Sequence, residues 1–123
     1  MPHDPEKYLA DILGSCGFLA EFTAGRTADD YARDRAFRSA VERELQIIGE
    51  AVMQLNRIAP QVAARISDHR NIIGFRHVLV HGYDSLHPAT VWNVIEHKLP
   101  VVTHEVRVLL DDLGALLPSD GED

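Results

Sequence analysis

The sequence predicts an all-α protein, an antiparallel four-helix up-and-down bundle whose last helix is kinked at Pro100. Three observations lead there. Apolar residues recur at spacings of three and four over most of the chain, the mark of helices with one buried face. No segment alternates Val, Ile or Thr with polar residues between turn signals, so no sheet is expected. The connections between periodic segments are short, which makes consecutive helices antiparallel neighbours.

Tyr8, Leu9, Ile12, Leu13, Cys16, Leu19 and Phe22 trace one face of a first helix ending near Gly25. A second helix starts between Thr27 and Asp30 and runs to about Arg57. Phe37, Val41, Leu45, Ile48, Val52 and Leu55 form its core face. Pro60 stops it, because proline lacks the amide hydrogen and its ring strikes the preceding turn. A short turn through Val62 and Ile66 follows. Asp68 is a natural N-cap for a third helix over His69 to about His81, and Gly82 suits the left-handed residue that ends a helix. The fourth helix opens at Pro88 and carries Val91, Val94, Ile95, Leu99, Val102, Val106, Leu109 and Leu110. Trp92 belongs to the core. The chain reads as a single domain over 1–123, with a core of about 5–117 and a flexible tail at 118–123.

Composition narrows the function. The net charge of −7 argues against broad, nonspecific nucleic-acid binding, which needs positive surface. A local basic cleft remains open: Arg65, Arg70, Arg76, His69, His77 and His81 face one acid, Asp68, between positions 65 and 81. Cys16 is the one cysteine, so neither an internal disulfide nor a multi-cysteine zinc site is expected, and a reducing compartment fits. Met1–Lys7 lacks the pattern of a signal peptide. Apolar runs such as Val78-Leu79-Val80 are too short to cross a bilayer. A cytoplasmic protein with no membrane partner is the expectation. No glycine-rich phosphate loop is present.

The chemistry concentrates on the third helix. Arg76 and His81 lie ~140° apart around an ideal helix and ~7.5 Å apart along it, so they share no stripe, although a long arginine can reach round to a common phosphate. His77 and His81 share a face at i, i+4. That is also metal-ligand spacing, but the segment lacks a third ligand and no metal is expected. Glu50 lies off the core stripe and reads either as a solvated residue or as a structural partner of the site, while Arg76 reads either as a phosphate-binding cation or as a residue that simply pairs with a carboxylate such as Glu50. Gly74 costs ~1 kcal/mol relative to alanine inside a helix, which close packing, a dimer contact or plain tolerance would each explain.

The run from Ile73 to Tyr83, IGFRHVLVHGY, resembles the R-x-x-x-x-H-x-Y signature of HepT-like toxins, a branch of the HEPN superfamily. Ile47-Ile48-Gly49-Glu50-Ala51 is similar to the family's second-helix segment. Val91-Trp92-Asn93-Val94-Ile95 with Leu99-Pro100 is similar to its last-helix segment. The resemblance spans roughly Leu9 to Leu117. His77 stands where the family commonly has asparagine. Arg70-Asn71 imitates the usual Arg-Asn pair but sits too far from His81 to be the motif, and Arg70 is kept only as a supporting cation.

The resemblance implies metal-independent RNA cleavage without a cofactor. His81 would transfer a proton, Arg76 would clamp phosphate oxygens, and His77 would position the phosphate or act as a second proton-transfer group. It further implies a homodimer that brings two motifs together. The partner it implies is a minimal nucleotidyltransferase antitoxin that uses ATP and Mg²⁺ to add AMP to Tyr83, in a type VII-like toxin–antitoxin system. Tyr83 could instead be an aromatic packed on the bundle. The competing reading is a noncatalytic HEPN module that docks a nucleotidyltransferase and helps bind its substrate.

Overall fold

Proline, aspartate and one widened turn decide where the helices of this chain begin and stop. The computed structural model describes residues 4–81 and 86–116. In order, the helices are α1 (Pro5–Phe22), α2 (Ala28–Arg33), α3 (Arg35–Ile58), α4 (Pro60–Ala63), α5 (His69–His81), α6 (Pro88–Asn93) and α7 (Leu99–Leu116), with a π-helical turn over Val94–Lys98 joining the last two. No strand occurs among the described residues. Gly82, expected to end α5, lies outside them, as does the tail at 118–123.

The expected second helix is in fact two. Thr27 and Asp30 open α2 with a reciprocal capping box, and the Thr27 amide holds the Asp30 carboxyl below its ordinary pKa. Asp34 then adopts extended backbone (φ −101°, ψ 103°), and its Oδ1 accepts the Phe37 amide at 3.1 Å. An aspartate that satisfies an exposed amide of the next helix competes with continuation of the previous one. The break lets Tyr31 turn inward against Trp92 of α6, ring centroids 6.3 Å apart. The Tyr31 hydroxyl donates to Glu42, and burial followed by that carboxylate raises its pKa strongly.

The kink expected at Pro100 takes the form of the π-turn before it. The Leu99 amide bonds back to the Val94 carbonyl, five residues away. Proline at 100 cannot donate to the carbonyl four residues back and would press its ring on it, and the wider turn relieves that conflict. Asp68 stands at the expected N-cap position, directly before α5. Its Oδ1 takes the Asn71 side-chain amide at 2.7 Å, and its carbonyl takes the Ile72 amide.

Helix α3 is the centre of the molecule. It packs against α1 and against α5, while α1 also packs against α7. Phe22 at the end of α1 stacks on Phe37 near the start of α3, and Tyr8 near the start of α1 shares a cleft with Gln54 near the end of α3, so the two run antiparallel. Leu9, Ile12, Leu19, Val41, Val52, Leu55, Val91 and Val106 are fully enclosed. Cys16 is a free, buried thiol. Burial pushes its pKa up, so it stays protonated and packs as a small apolar group. No helix of the described residues is long and apolar enough to cross a membrane.

Replacing Asp34 with alanine removes the α3 cap while leaving the core intact. We expect a loss of about 1 kcal/mol, read as a lower urea midpoint. An unchanged midpoint would mean that the packing of Tyr31, not the cap, holds the break.

Candidate active site

Helix α5 is a thin element laid on α3. Leu79 is its one buried residue, with Ile72, Ile73 and Phe75 half-buried against the core. What brings it close is Gly49. A Cβ built on Gly49 would stand 2.2 Å from the Arg76 Cβ and 2.7 Å from its Cγ. No side chain fits there, so the Arg76 stem lies in a notch cut into α3 by the missing methyl. Gly74, the glycine that sequence reasoning singled out for close packing, has nothing within 4 Å of such a Cβ, which leaves its packing explanation without support in the single chain.

The next residue of α3 holds the other end of the same arginine. Arg76 Nη2 is 3.0 Å from Glu50 Oε2, and Glu50 Oε1 accepts from Gln54 Nε2 at 3.1 Å. The Oε2 atom is buried without an aligned hydrogen bond, so its contact with the guanidinium is chiefly one of charge. Both side chains keep some exposure, 28% for Arg76 and 44% for Glu50, and such a pair contributes little to stability. Its consequence is orientation: stem in the notch, head on the carboxylate. Of the two readings of Glu50 from sequence, the structural partner is the one observed.

Arg76 and Glu50 form part of the wall of a cleft of about 520 Å³ between α1, α3 and α5, with Tyr8, Arg43, Gln46, Gln54 and Val80. Neither His77 nor His81 lines it. Both histidines are exposed, with ring centroids 4.8 Å apart. One chain therefore sets Arg76 on one flank of α5 and the histidine pair on another, as the ~140° offset predicts. Among the described residues no group of three His, Cys, Asp or Glu side chains stands close enough to hold a metal ion.

Arg70 is exposed and has no ion pair among the described residues. Arg65 is taken by Asp112 at 2.6 Å, which removes one cation from the basic stretch. Tyr83 lies outside the described residues. Sequence reasoning missed Gly49 as a determinant of the site, and with it Gln54 and Arg43. The available signal was a glycine on the buried side of a long apolar-periodic helix, where it costs stability unless something must come close.

The family model described as "Ribonuclease HepT-like" matches residues 12–109. A protein of Caldanaerobacter subterraneus subsp. tengcongensis named "Putative RNase TTE0752" is 31% identical over 106 residues, 86% of this chain and 94% of the relative. "Putative RNase MJ0127" of Methanocaldococcus jannaschii is 29% identical over 125 residues, 98% of this chain and 93% of the relative. "Probable ribonuclease HepT" of Thermococcus cleftensis is 27% identical over 104 residues, 81% of this chain and 90% of the relative. No solved structure matches. The chain belongs to the HepT-like ribonuclease family.

Gly49→Ala forces a methyl into space that the Arg76 stem fills. Overpacking of this kind costs about 1–3 kcal/mol, and here it must also lift α5 or expel the arginine. We expect a lower urea midpoint and a shifted Arg76 guanidinium signal in NMR. Gly74→Ala, with open space around it, should be neutral or slightly stabilising in the same assay.

Proposed function

We propose that this chain is an RNA-cleaving toxin, an endoribonuclease whose Arg76 and His81 act on one phosphate of the strand. The observation that supports it most is the way Arg76 is held. A cation with its stem in a notch and its head on a carboxylate meets an anion with little further ordering, and preorganised charge is worth most where negative charge develops during reaction.

The reaction needs no metal. A histidine takes the proton of a ribose 2′-hydroxyl, and the 2′-oxygen attacks the adjacent phosphorus. The bond to the 5′-oxygen breaks, a second proton donor supplies that oxygen, and a 2′,3′-cyclic phosphate remains. Arg76 offsets the charge that gathers on the phosphoryl oxygens. His81 is the proton-transfer group, with His77 as its positioning neighbour or as the second proton donor. Because His81 does not line the Arg76 cleft of its own chain, we favour a twofold homodimer that sets two motifs face to face.

Control is assigned to a minimal nucleotidyltransferase antitoxin. With ATP and Mg²⁺ it would transfer AMP to the Tyr83 hydroxyl, placing a phosphate near Arg76 that repels and blocks RNA phosphate.

His81→Ala and Arg76→Ala should each slow RNA cleavage by about 10²–10⁴-fold with unchanged circular dichroism, and His77→Asn should be milder. Cleavage should persist in excess chelator. Full activity of His81→Ala would end this assignment, and loss in chelator would point to a metal. For control, intact mass after incubation with the partner should show added AMP on the wild type and none on Tyr83→Phe, which should still cut RNA. Silencing without any mass change would replace modification by occlusion.

A further inference from the structure

Helix α3 carries a polar stripe where a bundle would ordinarily bury apolar residues. Arg43, Gln46, Glu50 and Gln54 recur at three- and four-residue spacing and so share one face. Gln46, Glu50 and Gln54 are half-buried. That face is the floor of the cleft between α1 and α5, which pack on α3 rather than mainly on each other. A gap of about 520 Å³ floored by amides falls within the size of small-molecule sites.

The charges in this cleft are unevenly matched. Lys7 is paired with Asp11 at 2.5 Å, and Arg76 with Glu50 at 3.0 Å. Arg43 also lines the cleft and has no ion pair among the described residues. It is exposed and lies seven residues, two helical turns or ~10.5 Å, before Glu50 on the same face. The cleft thus offers one unmatched cation at one end, a preset arginine further along, and the amides of Gln46 and Gln54 between and beyond them. Amides read the edge of a base through paired donors and acceptors.

We propose that the α1–α3–α5 cleft is a nucleotide subsite that holds the RNA strand beside the scissile phosphate, with Arg43 taking a neighbouring phosphate and Gln46 facing the base. The strand's identity rests on the ribonuclease reading above. The recognition itself does not, since a phosphate-and-base subsite binds whether or not cleavage follows. This makes Arg43 and Gln46 binding residues, not catalytic ones, and places the strand on the Arg76 side of α5.

The test uses a short 2′-O-methylated oligoribonucleotide, which lacks the 2′-hydroxyl needed for cleavage, and follows its binding by fluorescence anisotropy across a salt series. A single-strand phosphate contact contributes ~0.7 to the slope of log K against log salt. Arg43→Gln should reduce the slope by about that amount. Arg33→Gln, an 80%-exposed charge on α2, should leave it unchanged. Equal effects from both variants, no effect from Arg43→Gln, or no binding by the wild type each overturn the proposal. Free AMP that competes for the Arg43-dependent site more tightly than the oligonucleotide would overturn the strand as occupant in favour of a mononucleotide. A parallel assay with the unmethylated strand separates the two claims. Arg43-dependent binding without cleavage keeps the subsite and sinks the ribonuclease reading. Cleavage with a KM unaffected by Arg43→Gln does the reverse.

Discussion

The contact between Gly49 and the Arg76 stem is the constraint on which the candidate site depends. Helix α5 buries Leu79 fully and Ile72, Ile73 and Phe75 in part, a narrow apolar stripe. A narrow stripe resists rolling or sliding on α3 less than a broad one. The notch restricts both motions, because the Arg76 Cβ enters a space no larger residue leaves open. Position along the helix and rotation about it are set together at one point. Glu50, the next residue of α3, and Gln54, one turn beyond Glu50, then fix the direction of the guanidinium. Three residues of one helix thereby determine where the functional cation of another helix stands.

The rest of the fold fixes where α3 begins and ends and packs around it. The Asp34 cap starts it at a defined residue, and Pro60 stops it. The break at Asp34 also frees α2 to bring Tyr31 to Trp92, which ties the first half of the chain to the last. The π-turn before Pro100 performs a similar service at the other end. It absorbs the lost amide so that α7 can continue along α1, and Glu105 of α7 reaches the Ser67 amide just before α5.

Much of this was legible in the sequence, and the parts that were not share a physical cause. The core faces of α1, α3 and α7 follow directly from spacing, since burial of a stripe is what periodicity reports. The limits of α5 at His69 and His81 were legible from the cap signals in the sequence on either side, Asp68 and Gly82. The break at Asp34 was not, because the core stripe of that helix begins only at Phe37, so spacing reports nothing about the residues before it. Nor was the cleft. Periodicity identifies the buried stripe of α3 and treats everything else as solvent-facing. Gln46, Glu50 and Gln54 belong to neither class, and only the placement of α1 and α5 makes their face an interior wall. Glycine is ambiguous from sequence in the same way: Gly49 and Gly74 both stand within helices, and only the neighbour across the gap distinguishes a notch from an open surface.

The acidic balance of the chain bears on how such a site would meet an anion. With a net charge of −7, long-range attraction for a polyanion is unfavourable, so affinity must come from contacts inside a Debye length of about 8–10 Å. Glu50 at first sight makes this worse, since it cancels the charge of Arg76. Yet an uncompensated arginine on an exposed helix spends its time in many rotamers, and gathering it into one costs part of the binding energy at each encounter. The pair at 28% and 44% exposure is weak enough for a phosphate, with its higher charge density, to compete for the guanidinium without first breaking a strong bond. It is nevertheless ordered enough that the guanidinium already points into the cleft. Modest net attraction and high orientation suit a site that must discriminate by geometry rather than by charge alone.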